Sequence, residues 1–170
     1  MKKNSYLIYG FATVAVMIVV GFLIIYMGAA LNKGMSLLIQ LPFCAGIVLN
    51  AFAYSKANDG YVTFGDAFKS CFKAVLVIMA VRIAWIPVSD FLFPHVKELA
   101  LAEMHDKLSK NPGINEEQQD TFSNFFIKYW GAIMFLGVML GTLFMGSIYA
   151  VIAAAIAPKK GTRPPQGDNF

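Results

Sequence analysis

Four long apolar stretches separated by polar segments organise this sequence. Each carries no charged residue, or almost none, over a length that can cross a membrane. Because a helix rises about 1.5 Å per residue, such a run spans a bilayer with some tilt. The pattern predicts an all-α integral membrane bundle of four transmembrane helices. We place the spans at about residues 6–31, 35–55, 70–93 and 129–157, within a single domain at 1–160.

The first two spans are expected to form a helical hairpin, because only Asn32-Lys33-Gly34 separates them. We interpret the first span as a retained helix, since the apolar core of a cleavable signal has only about 7 to 15 residues. Pro87 predicts a kink in the third span. The last ten residues, 161–170, are rich in proline and glycine and are predicted to be a disordered tail.

One sizeable polar segment, 94–128, separates the third span from the fourth. Its first half carries an apolar stripe at helical spacing, formed by Val96, Ala100, Met104 and Leu108. Two pairs of opposite charge stand four residues apart, Glu103 with Lys107 and Asp106 with Lys110. We predict a short amphipathic extracytoplasmic helical hairpin, which lies on the membrane, covers the bundle or meets a partner.

Two capping patterns predict helix starts. Thr63 with Asp66 precedes the third span, and Asn115 with Gln118 begins a helix that continues into the fourth. After Thr63, Phe64 and Phe68 follow at helical spacing, and Lys69 lies beside them. We interpret this segment as an amphipathic entry at the cytoplasmic interface, with a partner-docking site as the alternative.

The order of these elements and the run Thr63-Phe64-Gly65-Asp66-Ala67-Phe68-Lys69 resemble a bacterial membrane family known as domain of unknown function 4199. The resemblance covers about residues 3–160. It implies a small bacterial inner-membrane protein of unknown activity, and it carries over no catalytic residue.

Composition and charge agree with a membrane protein. Apolar residues make up 58% of the chain and charged residues only 14%, which excludes an ordinary soluble globule. The 14 basic residues are scattered at the ends of apolar runs, so they do not form a nucleic-acid-binding face. They instead set topology and meet anionic lipid head groups.

The basic residues also predict the orientation. One face would carry eight of them: Lys2, Lys3, Lys56, Lys69, Lys73, Lys159, Lys160 and Arg163. The other would carry five: Lys33, Lys97, Lys107, Lys110 and Lys128. The positive-inside rule then places both termini in the cytoplasm of a multi-pass protein.

Arg82 is the outstanding candidate for function, because it lies near the midpoint of the third span. An unpaired charge there costs between ~2.5 and ~17 kcal/mol, depending on the measure. Other polar residues within the spans complete a candidate in-membrane site: Gln40, Asn50, Asp90 and Thr142. Counting from the span ends places Thr142 at a similar depth, whereas Asp90 lies eight residues along the same helix. Two interpretations stay open, a site for an anionic ligand or gating contact and a structural pair that fixes helix register.

Gly137 and Gly141 form a Gly-x-x-x-Gly face in the fourth span. Such a face lets a second helix approach closely. The partner would be either a second copy or another span of the same chain, and the spacing does not separate the two.

The sequence holds no recognisable catalytic, cofactor or metal motif. We therefore expect a non-enzymatic structural or accessory protein of the lipid bilayer that associates with another membrane protein or with itself. The alternative is a small oligomeric transporter or channel that uses Arg82 and the other in-membrane polar residues. An intramembrane enzyme ranks third, because a single arginine supplies neither a nucleophile with its base nor a metal site.

Overall fold

A computed structural model of the chain describes residues 4–29, 32–110, 113 and 115–160. The regular elements in that part are α-helices: α1 (Ser5–Tyr26), α2 (Lys33–Ala57), α3 (Phe64–Leu92), α4 (Pro94–Ser109) and α5 (Glu116–Ile156). Four of them, α1, α2, α3 and α5, are long and apolar enough to cross a membrane. This confirms the predicted all-α class with four helices that can span a membrane. These four helices indicate a membrane protein.

The helix ends differ from the predicted spans for local reasons. α1 ends at Tyr26 rather than near residue 31, because the chain turns at Gly28 with a φ of +68°. Residues 30 and 31 lie outside the described part, as does the predicted tail 161–170. α3 begins at Phe64, as the Thr63–Asp66 capping pattern predicts, so the helix starts before the predicted span 70–93. It continues as a helix through Pro87.

The polar segment forms two helices, as its pattern predicts. α4 packs against α5 and the end of α3, and it has no buried residue. Both predicted ion pairs of α4 are present, Glu103 with Lys107 and Asp106 with Lys110. α5 leaves helical geometry at Tyr129, the residue where the fourth span is predicted to begin. Which side of a membrane these helices occupy stays a prediction.

The buried side chains lie mainly in one half of the bundle, which we call the packed half. It consists of the start of α1, the end of α2, the start of α3 and the end of α5. Its core includes Val14, Met17, Phe43, Ile47, Ala51, Cys71, Ala74, Val75, Ile78, Ala150 and Ala153. The opposite half, which lies towards α4, is called the open half. It consists of the end of α1, the start of α2, the end of α3 and the part of α5 before Thr142.

Three glycines explain why the helices approach so closely in the packed half. A Cβ on Gly10 would lie 2.9 Å from Val77 Cγ1, a Cβ on Gly46 would collide with Thr13, and one on Gly146 would collide with Val75. Each glycine therefore sits directly against a neighbouring helix. In a membrane such close van der Waals packing replaces the hydrophobic effect as the main source of helix association.

The packed half is also closed by hydrogen bonds from the end of α2 and the α2–α3 turn to the residues that follow α5. The Ser55 hydroxyl donates to the Pro158 carbonyl, and the Lys160 amide donates to the Gly60 carbonyl at 2.7 Å. Gly60 has a φ of +81°, a conformation that glycine adopts without strain. The turn is therefore held against the end of α5.

Candidate functional site

Arg82 and Thr142 meet where the two halves of the bundle join. Arg82 Nη1 donates a hydrogen bond to Thr142 Oγ1 at 2.8 Å, across the α3–α5 interface. The Thr142 side chain is buried, with 1% of its surface exposed, whereas Arg82 is half-buried. The structure thus brings together the two residues that span counting places at similar depth.

The charge of Arg82 has no partner of opposite sign in the described part of the chain. No carboxylate there lies within 4.0 Å of its guanidinium. Asp90, on the same helix, instead accepts a hydrogen bond from Trp130 Nε1 at 3.2 Å. A guanidinium carries five N–H donors, and among the described residues only the hydroxyl of Thr142 accepts from this one.

Arg82 lines an open space between α2 and α5, which we call the Arg82 cleft. Its volume is about 360 Å³, and its walls include Gln40, Phe43, Arg82, Met134, Gly137, Gly141 and Thr142. Gln40 Oε1 accepts a hydrogen bond from the Tyr149 hydroxyl at 3.4 Å. The cleft therefore combines an apolar wall with a guanidinium, a hydroxyl and a carboxamide.

The Gly-x-x-x-Gly face of α5 forms one wall of this cleft. A Cβ on Gly137 or Gly141 would meet no atom of a neighbouring element within 4 Å, and both residues are exposed. Among the described residues, therefore, no other helix of the chain packs against this face. Gly10, Gly46 and Gly146, in contrast, each lie against a side chain of a neighbouring helix.

A second cavity, which we call the Trp85 cavity, borders Arg82 from the open half. It has a volume of about 180 Å³ and lies among α1, α2, α3 and α5. Phe22 forms its aromatic wall, with ring centroids 6.0 Å from Trp85 and 4.8 Å from Phe93. Arg82 thus lies between two cavities.

Asn50 does not join the other candidate residues. It is fully buried in the packed half, where its Nδ2 donates to Ser70 Oγ at 3.3 Å and lies 3.8 Å from Cys71 Sγ. The Cys71 thiol donates to the Ile47 carbonyl at 3.7 Å. Asn50 therefore links α2 to α3 within the core, away from the Arg82 cleft.

The Thr63–Lys69 run forms the start of α3 at the packed end. Thr63 Oγ1 accepts from the Asp66 amide at 3.2 Å, and the Thr63 amide donates to Asp66 Oδ2 at 3.2 Å. Phe64 and Phe68 stack at 6.3 Å. Asp66 and Lys69 also border a polar pocket of about 330 Å³ between the ends of α1, α2 and α3.

Comparison with known protein families places most of this chain in one family. The family described as "Protein of unknown function (DUF4199)" matches residues 8–159, which include all four membrane-length helices almost completely. The chain belongs to the DUF4199 family. This confirms the family resemblance found in the sequence. No curated protein and no solved structure matches the chain.

Several contacts of the site have only weak signals in the sequence. Trp130 as the partner of Asp90, and Tyr149 as the partner of Gln40, depend on the rotation of α5, which periodicity does not determine. The close packing of α5 does have a readable signal. Small residues follow at helical spacing and are all buried: Gly146, Ala150, Ala153 and Ala157.

Proposed function

We propose that this protein is a non-enzymatic accessory subunit of the bacterial inner membrane, which binds another membrane protein laterally through the Arg82 cleft. In this proposal both termini are cytoplasmic, and the hairpin of α4 and the start of α5 is extracytoplasmic. The excess of basic residues on the face that carries the termini supports this orientation.

The observation that carries the proposal is the open glycine face of α5. Small-residue faces in membrane helices bring two helix backbones into contact. In the packed half, glycines of this chain serve that purpose, whereas Gly137 and Gly141 leave equivalent space open. A helix from outside the chain would fill that space.

The chemistry of the cleft supports binding in preference to catalysis. Its polar groups are the guanidinium of Arg82, the hydroxyl of Thr142 and the carboxamide of Gln40. These groups donate and accept hydrogen bonds, and together they do not make a nucleophile with an adjacent base. They are suited to fixing the position of a bound helix.

The test fills the cleft without disturbing the packed half. Gly141→Leu places a large side chain in open space at the cleft, and Gly131→Leu does the same on α5 outside the cleft walls. Tagged variants are isolated from native membranes in a mild detergent, and the mass and composition of each complex are measured. We expect Gly141→Leu to lose a stoichiometric partner that the wild type and Gly131→Leu both retain.

Retention of the partner by Gly141→Leu would contradict the proposed docking surface. A thermal unfolding curve of each purified variant accompanies the measurement. Equal melting temperatures for the two leucine variants would show that loss of the partner does not reflect misfolding.

A small transporter or channel is the second candidate function, and the position of Arg82 between two cavities favours it. A permeating anion would pass this charge. The test is anion flux into liposomes that contain the purified protein, with Arg82→Leu as the variant. This function predicts flux that Arg82→Leu abolishes, and unchanged flux would remove Arg82 from any transport route.

A further inference from the structure

The unpaired charge of Arg82 indicates the charge of the group that binds in the cleft beside it. Arg82 reaches the cleft with one neutral hydrogen-bond partner, and the described residues offer it no carboxylate within 4.0 Å. In a low-dielectric environment a lone cation is costly, and a hydrogen-bonded anion offsets that cost. The occupant of the cleft is therefore expected to carry negative charge next to Arg82.

The depth of Arg82 argues against a lipid head group as that anion. Phe93, the C-cap of α3, lies eleven positions after Arg82, which corresponds to about 16 Å along a helix. This is about half of a hydrocarbon core that is about 30 Å thick, so lipid phosphates lie well outside its level. A side chain on a spanning helix reaches this depth directly.

A second copy of this chain does not supply the anion either. A twofold dimer through the cleft would bring two Arg82 charges towards each other, and like charges repel strongly in a low dielectric. The spans contain Asp90, but it lies eight residues from Arg82, about 12 Å along the helix. Copies with the same orientation would therefore present Asp90 at the wrong depth.

We infer that the Arg82 cleft binds a transmembrane helix of a different protein, which carries an aspartate or glutamate near its midpoint and pairs it with Arg82. This rests on the proposed function and names the chemistry of the partner. The open glycine face lets the helix approach, and Gln40 and Thr142 lie beside the charge pair. A bidentate guanidinium–carboxylate pair would also fix the depth of the partner helix.

The test uses two synthetic transmembrane peptides, each a leucine-alanine helix with one central residue, glutamate in one and glutamine in the other. The full-length protein is labelled at its C-terminal end and reconstituted in phosphatidylcholine vesicles at mildly alkaline pH. Peptide binding is followed by fluorescence energy transfer. We expect the glutamate peptide to bind wild type at least about tenfold more tightly than the glutamine peptide.

Variants of the protein identify the groups responsible. Arg82→Gln should remove the preference for the glutamate peptide, and Arg82→Lys should restore part of it, because a lysine supplies the charge without the bidentate geometry. Gly141→Leu should weaken binding of both peptides, whereas Gly131→Leu should leave both unchanged. The comparison of two peptides on the wild-type protein does not depend on the folding of any variant.

Four outcomes would overturn the inference. Equal binding of the two peptides would remove the charge pair but leave helix docking intact. Binding of neither peptide would remove the docking surface, and the proposed function would fail with it. Loss of the preference when phosphatidylglycerol is added would make a lipid the source of the anion. A labelled second copy that binds more tightly than the glutamate peptide would make self-association the use of the cleft.

Discussion

The two halves of this bundle use the same helices but different side chains at the helix contacts. In the packed half, Gly46 and Gly146 lie directly against side chains of adjacent helices. In the open half, bulky aromatic residues such as Phe22 and Trp85 face each other around a cavity. Gly137 and Gly141 of α5 are exposed. The difference shows that the size of the facing residues, more than apolar character, decides how closely these helices pack.

This difference has an energetic consequence. Lipid tails are as apolar as leucine, so the packed half gains stability from close contacts and buried hydrogen bonds more than from removal of water. The open half makes fewer of these contacts, and the charged side chain of Arg82 lies where it joins the packed half. We therefore expect substitutions in the packed half to change stability, and substitutions at the Arg82 cleft to change binding.

The largest effect is expected from truncation of an isoleucine in the packed core. Ile47 is fully buried, so Ile47→Ala should lower the free energy of unfolding by about 2 to 5 kcal/mol. Ile86 lines the Trp85 cavity, where fewer atoms surround it, and Ile86→Ala should cost clearly less. Unfolding in mixed detergent micelles measures both. A similar loss for the two variants would show that the open half is as tightly packed as the core.

Glycine substitutions should give effects of opposite sign in the two halves. Gly46→Ala places a methyl group against Thr13 and should destabilise by about 1 to 3 kcal/mol. Gly141→Ala meets no neighbouring atom and should stabilise α5 by up to about 1 kcal/mol, because alanine favours a helix more than glycine does. Thermal unfolding of the purified variants is the measurement. Destabilisation by Gly141→Ala would mean that a helix already covers this face.

These glycines also show how far the sequence predicts the structure. The spans, both capping boxes and the depth match of Arg82 with Thr142 follow from apolar run lengths and local spacing. Spacing alone also marks Gly137 and Gly141 as a packing face, yet it does not say whether a helix of the same chain uses them. That depends on the rotation of α5 about its axis, which tertiary packing determines.

Asp90 illustrates the same limit for polar residues. Its spacing from Arg82 suggests a contact along one helix face, but the gap of about 12 Å is too long for a direct pair. The Trp130 indole, on α5, satisfies Asp90 instead. A contact between helices of this kind depends on how α5 is rotated against α3, which local spacing does not determine.

The two capping boxes offer a smaller and more local comparison. Thr63 begins a helix whose next turns are buried in the packed half, so Thr63→Ala should lower global stability by about 1 kcal/mol. Asn115 begins α5, whose buried residues start only near Thr142. Asn115→Ala should therefore fray the first turns without changing the melting temperature. Amide hydrogen exchange distinguishes the two, and a global loss from Asn115→Ala would place the start of α5 in the cooperative core.

The smallest effect is expected at the exposed ion pairs of α4, which lie beyond the open half. Glu103 and Lys107 are in contact, but their side chains are 36% and 62% exposed. Solvent screening limits such a pair to about 0.3 to 0.5 kcal/mol, so Glu103→Gln should leave the melting temperature unchanged within a degree or so. α4 has no buried residue, so even local unfolding there would not open the core. Suppose instead that Glu103→Gln markedly lowers stability and that high salt has the same effect on the wild type. The charges of α4 would then stabilise the open half.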